Sequence, residues 1–240
     1  MLIRGAGGVK KDLLMYKKVA PEDGAPGAEQ QARIVDAAAR LFIAHGYHGV
    51  SYLTIAKELG ISHSNIHYYF RIKSMLAEAV LRQVSDATLE SMKSIWVDPA
   101  STLFDKLLKT RDWMYEHYLL FNPGGKGGHS WGLLARFTMD ADALPLPMKR
   151  LMRSTLQRLE EFIAEGVKLA VQSGELSEDA PQAGITLQIT SLVSVSGQAT
   201  RSGGNFDRLD DLIKWTYTSI RRAYGRSGSA QLRWVEPKAP

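Results

Sequence analysis

Residues 33–76 read RIVDAAARLFIAHGYHGVSYLTIAKELGISHSNIHYYFRIKSML, and this stretch decides the fold. Within it, residues 52–69 have the spacing of a helix-turn-helix, in which two short helices cross steeply and the second can enter the major groove of DNA. Ala56 is small where the helices approach most closely, Gly60 can end the first helix in a left-handed conformation, and Ser62 suits the N-cap of the second. The pattern favours a DNA-reading hairpin, although an ordinary buried helical hairpin would place similar residues there.

The second helix of this hairpin carries two stripes within seven residues. Its apolar stripe contains Ile66, which is expected to pack against the neighbouring helices. The preceding residues Ile55, Leu59 and Ile61 are expected to pack there as well. Tyr69 lies three residues after Ile66, so we expect its ring to pack inward as well. The residues expected to face outward are His63, Ser64, Asn65, His67 and Tyr68.

The flanks of the hairpin support the DNA-binding interpretation. Upstream, apolar residues recur at helical spacing over residues 31–45, and Gly46-Tyr47 then ends that helix. Downstream, Phe70, Lys73 and Leu76 close the unit and begin a long helix. Residues 31–76 carry five basic and two acidic side chains, so part of the net charge of +5 coincides with the motif.

This stretch resembles the N-terminal region of the tetracycline-repressor (TetR/AcrR) regulators. The matching positions are Ile34, Ala37, Ala38, Leu41, Phe42, Gly46, Tyr47, Val50, Ser51, Ile55, Ala56, Leu59, Gly60, Ile61, Ser62, Tyr69, Phe70, Lys73 and Leu76. His67 and Ser64 depart from the family, which most often has Tyr and Gly there, and both bear on operator preference. The resemblance implies an all-α protein with a three-helix helix-turn-helix DNA-binding domain, followed by a helical bundle that binds a ligand and dimerises.

The composition excludes several classes of protein. With 240 residues, 45% of them apolar, the chain can bury a real core. It has no cysteine, which excludes disulfides, zinc-thiolate sites and cysteine nucleophiles. No apolar run approaches the ~18 residues of a membrane span. We therefore expect a soluble, cytoplasmic protein without a membrane partner, associated with the nucleoid through DNA.

Four segments follow along the chain. Residues 1–29 are expected to form a flexible arm whose lysines could contact phosphates, unless translation truly starts at Met15. Residues 30–76 form the DNA-binding domain, residues 77–225 the ligand-binding and dimerisation domain, and residues 226–240 a loose tail.

Helical periodicity predicts the elements of the larger domain. Its expected helices span residues 73–95, 101–121, 131–139, 148–172, 179–199 and 205–224. The glycine-rich stretch at 123–128 lacks the spacing of a phosphate-binding loop, so it is either a mobile loop at a pocket mouth or a connector.

Reading DNA requires contacts to phosphates, which set position, and contacts to bases, which set sequence. Ser51, Lys57 and Lys73 suit phosphate contacts, and Lys73 also matches the family's phosphate-binding lysine. Asn65 is chemically suited to an adenine edge. The full set expected to read bases is Ser62, His63, Ser64, Asn65, His67 and Tyr68.

Two further surfaces are weaker predictions. An aromatic and methionine-rich set could line a ligand pocket or simply belong to the core, and it consists of Trp113, Met114, Tyr118, Trp131 and Phe137. In the resembling family the last two long helices pair with their copies in a second subunit, unless they only complete the protomer's own core. The corresponding interface residues are Ile189, Leu192, Leu209, Leu212, Ile213 and Ile220.

The sequence thus predicts a homodimeric transcriptional repressor that binds a palindromic operator in double-stranded DNA and is released by an unidentified small-molecule effector. A ligand-independent regulator or an activator would share every motif. A helical-bundle enzyme has little support, because Glu-x-x-His pairs and HExxH are both absent. We expect no enzymatic activity, no cofactor and no metal.

Overall fold

The computed structural model describes residues 27–226 and Trp234. Over these residues the chain is helical, which confirms the predicted fold class. The helices are α1 (Ala28–His45), α2 (Tyr52–Leu59), α3 (His63–Tyr69), α4 (Lys73–Trp96), α5 (Leu103–Phe121), α6 (Leu133–Met139), α7 (Leu146–Gln172), α8 (Gln182–Gly203) and α9 (Asp207–Tyr224). None of the helices within residues 27–226 is long and apolar enough to cross a membrane.

Helices α1 to α3 and the first turns of α4 form a small unit that we call the head. Its helix boundaries follow local chemistry. The Ser51 hydroxyl accepts the Thr54 amide at the start of α2, and the Ser62 hydroxyl accepts the Asn65 amide at the start of α3, each at 3.2 Å. Gly60 ends α2 with φ of 65°, a conformation that favours glycine. These caps fix a short turn between α2 and α3.

The body comprises the described residues that follow the head. Helix α4 runs from the head into the body and packs along α7. Gly166 of α7 allows this close approach, because a Cβ there would lie 2.5 Å from Cε3 of the buried Trp96 ring. One apolar core extends from the head to α6 and the start of α7, and a second lies among α5, α7, α8 and α9. The head is therefore continuous with part of the body.

Helix boundaries in the body differ from the predicted ones by up to four residues. Helix α6 begins at Leu133, two residues later than predicted, because Gly132 has extended backbone with φ of −120° and ψ of 126°. Helix α7 begins earlier, at Leu146, and takes Pro147 into its first turn. Proline is tolerated there because the first-turn amides have no partner within the helix.

The glycine-rich stretch is held as a connector between α5 and α6. The Asn122 side chain donates to Tyr118 O and His129 O and accepts the His129 amide. The Gly127 amide donates to Gly204 O at 2.8 Å, which ties the stretch to the α8–α9 turn. These bonds favour the connector interpretation over a mobile loop.

The chain ends fall largely outside the described residues. The predicted arm at 1–29 lies outside them up to residue 26. Trp234, in the predicted loose tail, packs its ring against Phe104 and donates its indole N–H to Asp210 at 3.0 Å. The prediction of a loose tail is therefore wrong at Trp234.

Candidate DNA-binding surface and internal cavity

The exposed face of α3 is the first candidate site. Ile66 is fully buried in the head and Tyr69 is half-buried against it, as their spacing predicts. The N-cap Ser62 and the five other residues predicted to read bases are all exposed, and Tyr68 reaches 82% exposure. A stripe of hydrogen-bonding side chains thus lies on the outside of the head.

Within this stripe, two histidines are held in place by packing. The rings of His63 and His67 lie 4.5 Å apart, and the Tyr52 ring lies 4.7 Å from His67 in an edge-on contact. Tyr52 is itself anchored, because its hydroxyl donates to Phe70 O at 2.9 Å. Burial raises the pKa of the Tyr52 hydroxyl to about 12. Tyr52 therefore positions residues of the site, a role that the sequence did not reveal because it depends on how α2 and α3 cross.

Asn65 differs from the two histidines. Its backbone amide is used by the Ser62 cap, while its side-chain amide makes no hydrogen bond within the described residues. An exposed carboxamide can pair with both N6 and N7 of an adenine. The geometry leaves Asn65 available for base reading, which stays a prediction.

The residues predicted to contact phosphates have different surroundings. Ser51 and Lys57 are exposed on or beside α2. The Lys73 ammonium instead donates to Tyr47 O at 2.9 Å and Val50 O at 3.2 Å, and it lies 4.4 Å from the centre of the Tyr47 ring. These contacts give Lys73 a positioning role for the turn between α1 and α2. Its phosphate contact stays a prediction, now with a competing use for the same ammonium group.

Head and body also meet at α6, which begins 64 residues after the last residue of α3. The Phe137 ring of α6 packs edge-on against Phe42 of α1 at 5.6 Å. Arg136 donates to His45 O at 3.1 Å, and the Asp140 carboxylate accepts the Tyr47 amide at 2.8 Å. We call these contacts the α6 junction.

Phe137 was predicted to line a ligand pocket, and that prediction is corrected by the junction. Its ring is fully buried between α6 and the end of α1, so it contributes to the core that joins head and body. Gly46 explains how α6 comes so close. Its φ is 75°, and a Cβ there would collide with the Asp140 carboxylate and the Arg136 guanidinium.

A cavity of about 200 Å³ lies inside the body among α4, α5, α6, α7 and α8. Three residues predicted for the ligand pocket, Trp113, Met114 and Trp131, line it. Tyr118 does not line it, because its ring is buried elsewhere in the core and its hydroxyl donates to Gly127 O at 2.7 Å. The structure thus brings together three of the five predicted residues, and ligand binding itself stays a prediction.

His117 lines the same cavity, although it is not among the five residues predicted for the pocket. It is 5% exposed, its Nδ1 lies 2.6 Å from Trp113 O, and its ring packs against Trp113 with the ring centres 3.7 Å apart and the planes tilted by 37°. A carbonyl oxygen only accepts, so Nδ1 carries the proton. Burial lowers the His117 pKa to about 4, which keeps the imidazole neutral near pH 7.

The predicted dimer interface is corrected at five of its six positions. Ile189, Leu192, Leu209, Ile213 and Ile220 are buried within the single protomer, because α8 and α9 turn these faces toward α5 and α7. Only Leu212, at 38% exposure, remains accessible to a partner. The large apolar side chains that α8 and α9 expose are Leu187, Val195, Leu212 and Trp215.

The head is more similar in sequence to known proteins than the body is. Residues 34–80 match the model for bacterial regulatory proteins of the tetR family. The chain is 40% identical over 65 residues to the HTH-type transcriptional regulator RutR of Escherichia coli, which covers 27% of this chain and 31% of RutR. It is 24% identical over 148 residues to the fatty acid metabolism regulator protein of Bacillus subtilis, covering 61% of this chain and 70% of that protein.

Solved structures share the fold over most of the chain. The regulatory protein TetR from Rhodobacter sphaeroides superposes with a TM-score of 0.67 at 18% identity, over 83% of this chain and 100% of that one. A TetR transcriptional regulator from Chloroflexus aurantiacus superposes with a TM-score of 0.69 at 17% identity, over 84% of this chain and 98% of that one. At these identities the likeness concerns the fold alone.

Proposed function

We propose that this chain, which belongs to the TetR family of bacterial regulatory proteins and is a DNA-binding transcriptional regulator, acts as a homodimeric repressor. It would bind a palindromic operator and would be released from it by a small molecule in the internal cavity. It would act in the cytoplasm, on the nucleoid. The exposed stripe on α3 would read the operator, while α2 and the start of α4 would contact its phosphates.

The observation that carries the proposal is that α6 serves both sites. Leu133, Leu134 and Thr138 of α6 line the cavity. Arg136 and Phe137 of the same helix contact α1 and the turn after it. A ligand that displaces the cavity face of α6 must therefore disturb the α6 junction. The shift is limited by the difference in the ligand's affinity for the two arrangements of the head.

Dimerisation would set the spacing between the two heads. A palindromic operator needs the two recognition helices about 34 Å apart, in successive major grooves. The exposed apolar side chains of α8 and α9 would form the interface of a two-fold dimer. Trp215, at 56% exposure, is the largest of them. A ligand that tilts the heads would then change their spacing and lower operator affinity.

The test of operator recognition is selection from a random DNA pool by the purified protein, at two salt concentrations, followed by sequencing of the retained fragments. We expect a palindromic consensus and affinity that falls steeply with salt. A consensus without two-fold symmetry would contradict the dimeric mode of binding. A reporter gene behind the selected operator then distinguishes repression, expected here, from activation.

The dimer surface is tested separately with Trp215→Glu. A carboxylate in the centre of an apolar interface would remain unpaired, so we expect monomers in sedimentation experiments and loss of tight operator binding. Leu146→Glu is the matched control, because Leu146 is similarly exposed, at 59%, but belongs to α7 and not to α8 or α9. Unchanged dimers in the Trp215 variant would place the interface elsewhere.

A further inference from the structure

The size of the cavity restricts what it can hold. Its volume is about 200 Å³. A buried apolar cavity of about 150 Å³ accommodates benzene, so this one suits a substituted single ring or a compact pair of fused rings. Long acyl chains and nucleotides are too large. Trp113 and Trp131 provide aromatic walls for such a ring.

The charge of the lining is equally restrictive. Among the described residues that line the cavity there is no Asp, Glu, Lys or Arg. His117 contributes a neutral imidazole, since its pKa is lowered to about 4 by burial. An ion buried here would lose its hydration without gaining a partner of opposite charge. Lys149, Arg153 and Glu160 line a separate groove outside the mouth, where charges of both signs meet solvent.

The polar groups of the lining have most of their protons already in use. The Thr138 and Ser194 hydroxyls donate to Leu134 O at 2.8 Å and Thr190 O at 2.9 Å. The Trp131 indole N–H donates to Thr200 at 2.9 Å. A hydroxyl that donates to its own helix still has lone pairs with which to accept a hydrogen bond.

These two hydroxyls also mark the mouth of the cavity. Thr138 and Ser194 line both the cavity and the outer groove between α7 and α8. They therefore lie where a ligand enters, with the aromatic walls behind them. The hydroxyls of Thr88 and Ser196 also belong to the lining and can donate or accept.

We propose that the effector is a neutral, compact aromatic molecule of one or two rings that carries a hydrogen-bond donor, such as a phenol O–H or an indole-type N–H. Its rings lie between Trp113 and Trp131, and its donor reaches the acceptor oxygens of Thr138 and Ser194 at the mouth. This ligand class rests on the proposed function, because it takes the effector site to be this cavity.

The test is direct binding to the purified full-length protein without DNA, measured by calorimetry and tryptophan fluorescence. The probes are β-naphthol, its methyl ether, β-naphthoate and benzyltrimethylammonium. We expect β-naphthol to bind once per protomer, and the ether, which lacks the donor, to bind roughly threefold to tenfold more weakly. The anion and the cation should bind at least about a hundredfold more weakly than naphthol.

Several results would overturn the proposal. Naphthoate binding as tightly as naphthol would assign the effector to the cationic residues of the outer groove, and equal binding of the quaternary ammonium would assign a cation. Equal affinity of naphthol and its ether would show that a hydrogen-bond donor on the ligand does not contribute to binding. Absence of binding by naphthol would remove the ligand class altogether.

Leu156→Trp locates the binding site. Leu156 is half-buried at the mouth, so the larger side chain can extend into the cavity without forcing the core apart. We expect it to reduce naphthol affinity at least about tenfold. Leu151→Trp is the matched control, since Leu151 is half-buried on the same helix but does not line the cavity. Equal affinity in both variants would place the ligand elsewhere.

The failure of this inference can be told from the failure of the proposed function. If naphthol does not bind but the operator selection yields a palindrome, the proposed regulator function is retained and only the proposed ligand class is rejected. If naphthol binds but no operator is selected, the ligand class stands as a property of the cavity and the repressor function falls.

Discussion

The head and the body of this protein use their polar groups in opposite ways. The head covers a small apolar core with exposed hydrogen-bonding side chains, of which His63, Asn65 and Tyr68 are examples. The body encloses a cavity without charged residues among its described lining, and directs its hydroxyl protons back to its own helices. The head can recognise a charged polymer, whereas the body admits a small neutral molecule. Besides helix α4 and the shared apolar core, the polar and aromatic contacts of the α6 junction connect them, and α6 is the helix that also lines the cavity.

The largest expected effect comes from breaking that connection with Gly46→Ala. The residue has φ of 75° and ψ of 179°, and an added Cβ would collide with Asp140 and Arg136. We expect a loss of about 3 kcal/mol in the free energy of unfolding, measured by urea denaturation, chiefly because residues with a side chain rarely adopt this backbone conformation.

Gly60→Ala is the control within the head. Gly60 also has positive φ, of 65°, but a Cβ there meets nothing within 4 Å. Its cost should be limited to the left-handed backbone, about 1 kcal/mol. Equal losses of unfolding free energy in the two variants would mean that α6 can move away from the added Cβ without destabilising the protein, and that the α6 junction is loosely packed.

Acid should weaken the body through His117. The unfolded chain takes up a proton near pH 6.5, while the folded protein does so only near pH 4, so stability is lost as the pH falls between these values. The loss from this group should be on the order of 3 kcal/mol at pH 4.

The His117→Gln variant isolates this contribution, because glutamine can donate to Trp113 O but does not titrate. Urea denaturation at several pH values should show the wild type losing more stability than the variant below pH 6.5. Parallel curves would show that the imidazole is solvated, and that the cavity is wetter than its lining indicates.

Asn65→Ala tests the exposed face of the head. Loss of a bidentate contact to adenine should cost about 1–3 kcal/mol at one operator position and relax the preference there. Repeating the DNA selection with the variant measures it. Uniform weakening over all sequences would instead assign Asn65 to the phosphates.

The smallest expected effect is a difference between two lysines of the head in the salt dependence of DNA binding. Lys57→Ala should reduce the dependence of log affinity on log salt concentration by about one unit, with little change in stability. Lys73→Ala should also reduce the slope, but by less than one unit, because its ammonium group is shared with two carbonyls of the turn. It should in addition cost roughly 1–3 kcal/mol in stability, because those carbonyls lose a charged donor. A full unit of slope without loss of stability in the Lys73 variant would make a phosphate, and not the two carbonyls, the main partner of its ammonium group.

The sequence by itself determined those features that depend on neighbours along the chain. The Ser51 and Ser62 caps, the turn at Gly60 and the outward stripe on α3 were all predictable, because capping and helical spacing act within a few residues. The approximate extent of each helix followed from the same periodicity, and the all-α class from the resemblance to the TetR/AcrR regulators.

The tertiary structure alone decided which distant surfaces cover each other. Periodicity showed that Phe137, Ile189 and Ile213 lie on apolar helix faces, but not that Phe137 faces the head or that the other two face the protomer's own core. It could not show that Lys73 is tied to carbonyls more than twenty residues earlier in the chain. An apolar pattern reports that a face must be buried, and the partner that buries it is fixed only when the whole chain packs.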